Sequence, residues 1–397
     1  MRPLLVRAFT AASCIGRGLE QTRAALSEER TGLEACRFET VRLDTYVGEV
    51  AGVDDLALPA GLSRFDCRNN RLAELAMRLD GFDAAVDNAA RRFGPRRVGV
   101  FLGTSTSGIL QTELGYRNRD PVSGELPPDF DYGATHNSFS VADYLRRRLA
   151  LEGPAAVVSC ACASSAKVFA TARRMLETDV IDAAVVGGVD SLCLTTLYGF
   201  HSLQLCAPGP CRPFDVDRDG ISIGEAAAFA LLERVAGDAT ADDVLLLGVG
   251  ESNDAYHMSA PHPEGAGARR AMQLALSDAR LEPDDIDYIN LHGTGTPSND
   301  RSESRAVNDV FGAAMPCSST KGATGHTLGA AGALEAVIAA LALRYGEMPA
   351  GVNTRRVDPS LAVNYLTAKR VAPLERALSN SFGFGGTNCS LILGRAG

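Results

Sequence analysis

A catalytic nucleophile must be reachable and easily deprotonated, and the stretch GPAAVVSCACASSAKVFATA, from Gly153 to Ala172, offers one. Ala155 to Val158 reads as a short buried strand, Ser159 to Ala163 as a turn, and Ser164 onward as a helix with apolar positions at Val168, Ala172 and Leu176. Cys162 therefore stands where a strand hands over to a helix. The positive end of the helix dipole and its unpaired N–H groups favour a thiolate there, so the thiol pKa is expected to fall. Ala161, Ala163, Ser164, Ser165 and Ala166 leave room for a substrate carbonyl to approach the backbone. Cysteines are also common as inert core residues, and Cys160, nearer the strand, fits that description.

Three further groups suit acyl transfer. His292 ends a predicted strand in HGTGTP, and His326 precedes a predicted helix in KGATGHTLGAAGALE. One such histidine would more often be a satisfied core residue. Two, each flanked by small residues and accompanied by a helix-entry cysteine, point to a site. Gly383, Gly385 and Gly386 permit backbone turns that aim N–H groups inward, so the amides of Phe384 and Cys162 could hold an oxyanion together. The same glycines would equally make a plain hairpin turn.

The elements that must position these groups alternate between strands and helices. Strands are expected at Leu4 to Val6, Arg97 to Gly103, Ile181 to Gly188, Leu245 to Gly250 and Tyr288 to Leu291, with a last one inside Asn380 to Leu393. Helices are expected at Gly18 to Ser27, Arg68 to Leu79, Phe82 to Arg92, Ser138 to Leu151, Gly267 to Arg280 and Thr327 to Leu343. The loop GTSTSG (Gly103 to Gly108) reads either as an anion cradle or as a tight turn beside the site; it lacks the Gly-Lys-Ser/Thr of a phosphate-binding loop. CRPFDVDRDG (Cys211 to Gly220) reads either as a metal loop or as a salt-bridged structural loop. Residues 318–343 repeat the layout of the Cys162 stretch, a small-residue turn followed by an Ala-rich helix, which suggests an internal duplication with halves at 1–238 and 239–397.

Composition bounds the rest. At 397 residues, 46% hydrophobic, with 40 glycines and no tryptophan, the chain suits a close-packed α/β protein. A net charge of −9 argues against general nucleic-acid binding. The ten cysteines show no zinc spacing, so no metal is expected, and free thiols in a reducing cytoplasm are. Arg7 interrupts the apolar start before it reaches signal-peptide length. The apolar helix around Glu335 looks too short to span a bilayer, so no membrane span is expected.

Taken together, SCACASSA, RPFDVDRDG, DAYHM, INLHGTGTPSND, SSTKGATGHTLGAAGALEA and NSFGFGGTN resemble the β-ketoacyl-acyl-carrier-protein synthases of the elongating type, from about Arg97 to the C-terminus. The resemblance implies the thiolase fold, two duplicated α/β halves in five αβαβα layers, normally a dimer with itself or with a related ketosynthase-like subunit. It implies decarboxylative Claisen condensation of malonyl-acyl carrier protein with an acyl group held as a thioester on Cys162. His292 and His326 would bind the malonyl thioester carbonyl, with the Cys162 and Phe384 amides on the tetrahedral oxyanion. Lys321 and Glu335 match a charged pair expected beside the second histidine. Thr294 and Thr296 match positions that bond the pantetheine arm, which belongs to the carrier protein, so no cofactor of the chain's own is expected. Asp254 and His257, with the loop of Gly383, Phe384 and Gly385, match two loops that gate the acyl pocket. Arg64, Arg68, Arg71 and Arg212 match basic residues that dock the acidic carrier protein.

The chain departs from the family at LLVRAFTAASCIG, where a Val-Val-Thr-Gly turn is usual, and at ATHNSFSVADYL before the nucleophile. CRNNRL with GTSTSG is similar to synthases of bacterial aryl polyene clusters, which would mean an aryl or polyenoyl starter. The rival readings are a thiolase using Cys389, a non-catalytic chain-length partner, and a cysteine hydrolase using Cys162, His292 and Asn388.

Overall fold

Ten strands fall into two runs of five that repeat one pattern. The structure, a computed structural model, describes residues 2–237, 240 and 243–396. In the first run β1 (Leu4–Ser13), β2 (Val98–Gly103), β3 (Ala155–Val158), β4 (Ala183–Asp190) and β5 (Ala226–Arg234) lie in the order β3-β2-β4-β5-β1. In the second, β6 (Val244–Asn253), β7 (Tyr288–Asn290), β8 (Pro316–Ser318), β9 (Arg376–Phe382) and β10 (Thr387–Arg395) lie in the order β8-β7-β9-β10-β6. In both runs the second strand is parallel to the third and fourth, and the fifth is antiparallel to the fourth and the first. The duplication is therefore real. The two first strands pair antiparallel, Leu4 with Leu246 and Val6 with Val244, and so join the halves. The expected boundary between 238 and 239 lies outside the described residues.

Helices supply the other layers. α1 (Arg68–Met77), α2 (Phe82–Phe93) and α3 (Ser140–Arg148) pack Leu72, Phe82 and Tyr144 on the outer face of the first sheet. α4 (Ser164–Glu177) starts just after Cys162, and α5 (Leu194–Ser202) lies over the site. α6 (Ala266–Ala279) and α7 (Pro297–Phe311) cover the outer face of the second sheet with Met272 and Val307. α8 (Ala331–Tyr345) lies with α4 between the sheets, where Phe169, Val186, Ile338 and Leu391 share one core. The result is the expected five-layer αβαβα arrangement.

α8 is buried all round from Ala331 to Leu343, which is why its sequence is apolar without a polar face. With the short turn before it, Leu328–Tyr345 reaches the length and hydropathy of a membrane-crossing helix, correcting the expectation that it falls short; 89% of it is buried inside the protein. It is the core helix.

The sequence reading has no element for β5, α5 or α7. The β5 segment AAAFALLER is rich in alanine, a poor strand former, yet Ala228, Ala230 and Leu232 face the central core and Ala227, Phe229 and Leu231 the outer one. Burial on both faces overrides propensity. β1 runs past Arg7 to Ser13 because a bulge between Val6 and Ala8 absorbs the interruption.

The Cys211–Gly220 loop is the salt-bridged one: Arg212 pairs with Asp219 at 2.9 Å and Arg218 with Asp358 at 2.7 Å, while Asp215 accepts from the amides of Asp217, Arg355 and Arg356.

The two central helices touch at their N-terminal ends. Ser165 Oγ accepts from the Ala333 amide at 2.9 Å, and a Cβ on Gly332 would stand 2.7 Å from both the Cβ and the N of Ala166. Only glycine lets the starts of α4 and α8 meet. Gly332→Val should therefore cost about 1–3 kcal/mol or more through overpacking, measurable as a lower urea midpoint, with activity falling at temperatures where the fold persists.

Candidate active site

Cys162 lies between β3 and α4 in a turn whose preceding residue, Ala161, has φ +55°, a conformation that L side chains rarely adopt. Ser164 holds it: its Oγ donates to the Ala161 carbonyl at 2.5 Å and accepts the Cys160 amide at 2.9 Å. The residue is 5% exposed.

Burial decides its acidity. The thiol is pushed up to about 11, against the expectation of a lowered value. Burial is the largest cause; the Lys321 charge and the amides of Phe384 and Cys162 itself pull the other way, and Asp190 adds to the rise. The helix end cannot compensate, because α4 begins two residues beyond the sulfur.

Both histidines reach the same place from the other half. His326 Nε2 lies 3.1 Å from Cys162 Sγ, and the His292 ring stands edge-on to the His326 ring with centroids 5.3 Å apart. Nδ1 of His326 accepts the Leu328 amide at 3.3 Å. Nδ1 of His292 faces the Lys321 ammonium at 3.3 Å. With a donor on each Nδ1, the remaining ring proton of each imidazole is on Nε2. Burial, reinforced by the Lys321 charge, holds both rings well below their ordinary pKa and therefore neutral. Two neutral Nε2–H donors are thus carried by the two rings.

Lys321 is the group that makes this possible. Its ammonium is spent on the Glu335 carboxylate, the His292 carbonyl at 2.6 Å and His292 Nδ1. The charged pair therefore orients the first histidine, where the sequence reading set it beside the second: the turn from Thr320 brings Lys321 under the end of β7. Burial raises the Glu335 carboxyl to about 7 and the Lys321 charge opposes that rise. Glu303, on α7, accepts the amides of His292 and Gly293 at 2.8 and 2.7 Å. The sequence reading misses this second anchor, since nothing in NDRSES marks one acid as inward-facing.

The third component is the Phe384 turn. Gly385 and Gly386 have φ +78° and +75°, and a Cβ on Gly383 would be 3.2 Å from the Cys162 amide. Small size at 383 lets the Phe384 and Cys162 amides converge on the sulfur, so the glycines serve more than a hairpin turn. The Phe384 ring leans on Phe200 of α5, with centroids 5.7 Å apart. Phe200, Leu205, Ile221 and Phe382 form the apolar wall of a cavity shared by Cys162, His292 and His326. Its volume of about 60 Å³ falls far short of the roughly 300 Å³ at which small-molecule pockets begin.

Thr294, Thr296 and Asp254 also line this cavity. The two threonine hydroxyls bond one another at 2.9 Å, and Thr296 caps α7 by accepting the Asn299 amide. Asp254 is fixed by Asn388 Nδ2 and the His262 amide, each at 2.9 Å. His257 is exposed, its Nδ1 accepting the Ser259 amide, and it is not part of the cavity wall. Of the four arginines, Arg68 is corrected. It is buried against Glu225, Asp54 and Glu49, at 2.6, 2.7 and 3.1 Å, and offers a partner nothing. Arg71 forks onto Asp66 at 2.6 and 2.7 Å. Arg64 and Arg212 are the more exposed pair, held by Asp131 and Asp219.

The geometry separates the rival chemistries. A Cys–His–Asn hydrolase needs Asn388 on His292, but a cation occupies that Nδ1 and Asn388 bonds Asp254 and the Gly386 carbonyl. Cys389 is buried inside β10, its thiol raised by burial, away from the cavity. Cys162, His292 and His326 present ligand atoms within 4.8 Å of one another, a spacing a metal could bridge. Two amides converging on the sulfur suit an oxyanion instead.

Residues 2–237 match the family model for the beta-ketoacyl synthase N-terminal domain and residues 244–355 that for its C-terminal domain. The 3-oxoacyl-(acyl-carrier-protein) synthase 2 of Vibrio cholerae is 31% identical over 99% of both chains, and that of Rhizobium meliloti 38% identical over 75% of this chain and 74% of the relative. Among solved structures, the ketosynthase (ApeO) in complex with its chain length factor (ApeC) from Xenorhabdus doucetiae matches at 39% identity and TM-score 0.90, covering 100% of this chain and 98% of that one. The ishigamide ketosynthase/chain length factor matches at 29% identity and TM-score 0.90 over the whole of both chains.

Removing Lys321 isolates a buried carboxylate and frees His292. Lys321→Met should lower stability by about 3–5 kcal/mol. Iodoacetamide labelling of Cys162, followed on its peptide by mass, should climb with pH toward about 11 in the wild type and be slower at each pH in the variant, since the lysine charge favours the thiolate.

Proposed function

The chain belongs to the β-ketoacyl synthase family and carries out decarboxylative Claisen condensation; on that premise we propose the following roles for its residues. The observation that carries the reading is one small cavity in which a buried sulfur stands 3.1 Å from His326 Nε2 with His292 edge-on beside it. Cys162 sulfur attacks the thioester carbonyl of an acyl-carrier protein, and the oxyanion forms against the Cys162 and Phe384 amides. Collapse breaks the carrier's C–S bond, and the proton lost by Cys162 ends on the released carrier thiol. Because the resting thiol is held near 11, the Lys321 charge and the two amides must stabilise the thiolate as it forms.

Malonyl-carrier protein then enters with its thioester oxygen toward the two Nε2–H groups. The bond to the carboxylate breaks, carbon dioxide leaves, and the electron pair becomes an enolate that His292 and His326 hold. Donors preorganised in a dry site are worth about 10²–10³ in rate each. No general base is required, since decarboxylation and not proton abstraction makes the carbanion. That carbon attacks the acyl-cysteine, the C–S bond breaks, and Cys162 takes a proton from solvent as β-ketoacyl-carrier protein departs. Thr294 and Thr296 bond the pantetheine arm, which belongs to the carrier protein, and the chain contributes no cofactor or metal. Phe384 opens the acyl pocket with Asp254, and Arg64 and Arg212 meet the acidic carrier.

The starter is an aryl or polyenoyl group, and the working assembly is a heterodimer with a chain-length-factor-type subunit. The starter is supported by the resemblance of CRNNRL with GTSTSG, and the assembly by the 39% identity, over the whole chain, to a structure described as a ketosynthase with its chain length factor. Ten free cysteines support a reducing cytoplasm as its setting. Intact Cys162, His292 and His326 argue against this chain being the non-catalytic partner itself.

Cys162→Ala should take up no acyl group from any carrier donor while unfolding at the same temperature as wild type, read by intact-protein mass; acylation surviving in the variant would reject the assignment. In the same assay, aryl and polyenoyl donors should load faster than saturated ones of equal length. Phe200→Ala should narrow that difference by removing one side of the aromatic contact.

A further inference from the structure

Asp190, the last residue of β4, is fully buried and has no part in the chemistry above. It is the anion that the GTSTSG loop cradles. Oδ1 accepts from Thr104 Oγ1 at 2.7 Å, the Ser105 amide at 2.7 Å, and the Thr106 amide and hydroxyl, both at 2.8 Å. Oδ2 accepts a single donor, the Gly329 amide at 2.5 Å. Every partner donates, which is the surrounding of an ionised carboxylate despite the burial that raises its pKa.

These partners lead to both halves of the active site. Gly329 belongs to the tight turn after His326, where Leu328 at φ +51° turns its amide back onto His326 Nδ1. The same loop's Ser105 Oγ donates to the carbonyl of Ala161, the strained residue before Cys162. Close approach is obligatory, because a Cβ on Gly329 would stand 2.7 Å from Asp190 Oδ2 and 2.6 Å from Ser105 Oγ.

We propose that Asp190 is a positioning residue for the condensation: through Gly329 it fixes the turn that keeps the His326 proton on Nε2 and aims it at the cavity, while through the GTSTSG loop it ties that turn to the Cys162 loop. The cost is that its charge opposes the Cys162 thiolate. A carboxylate kept at that cost is kept for its two-sided geometry. The assignment rests on the condensing reaction, in which His326 acts on the malonyl thioester and Cys162 on the acyl donor, so losing the turn should separate the two half-reactions.

Asp190→Asn is nearly isosteric and can still accept from the loop through its remaining oxygen, but its NH₂ then meets the Gly329 N–H, donor against donor. With the chain purified together with its chain-length-factor-type subunit and given carrier-protein substrates, release of carbon dioxide from malonyl-carrier should fall about 100-fold, the effect expected of an ångström-scale misplacement. Acyl transfer to Cys162, read by intact mass, should stay within about threefold. In ¹⁵N-histidine spectra the His326 signals should move from a single Nε2–H tautomer to a mixture. If Asp190→Asn does not fold, Gly329→Ala, whose methyl would displace the same amide, should give the same split. Carbon dioxide release within threefold of wild type, a parallel loss of both half-reactions in a folded variant, or an unchanged His326 tautomer would overturn the assignment of Asp190 alone. A wild-type assembly with that subunit that releases no carbon dioxide from malonyl-carrier would overturn the condensing function and this role with it.

Discussion

Everything in the site depends on how closely two helices approach. α4 and α8 meet between the sheets at Gly332, where a side chain would overlap Ala166, and at the hydrogen bond from the Ala333 amide to Ser165. Those helix starts are the ends that follow Cys162 and His326. Packing of backbone against backbone is stiff, because interiors are as dense as organic crystals. A sulfur and an imidazole delivered by different halves of the chain therefore meet at hydrogen-bond distance.

The same burial sets the electrostatics. Without bulk water, charge is tolerated only where partners surround it, and the site contains few charges and many partners. Lys321 is shared among Glu335 and two atoms of His292, and Glu303 collects the amides of His292 and Gly293. The two imidazoles are left neutral and the thiol protonated at rest. Such a site is poor at removing protons and good at receiving negative charge when it develops on an oxygen, which is what enolate and tetrahedral intermediates require.

Repetition of the five-strand pattern explains why the working groups divide as they do. Corresponding turns, after β3 and after β8, lead into the paired central helices. One copy carries the nucleophile and the other a hydrogen-bond donor, while the turn between β9 and β10 closes the cavity with the Phe384 amide and ring. The apolar wall then adds a constraint on size, because Phe200 and Phe384 meet over the cavity.

Local chemistry was written in the sequence wherever residue type and immediate neighbours suffice. The strand, turn and helix around Cys162, the glycines at 383, 385 and 386, the two histidines and the repeat of the small-residue turn could all be read from the chain, since each follows from side-chain size, backbone freedom or periodicity. Long-range questions could not. Which histidine Lys321 serves, whether Arg68 is a surface cation or a buried one, and whether the helix end or desolvation governs the Cys162 thiol depend on what other elements of the chain pack against each group. The alanine-rich β5 makes the same point for the fold. Its residues have no local reason to be a strand, and only the two cores that close on its faces supply one.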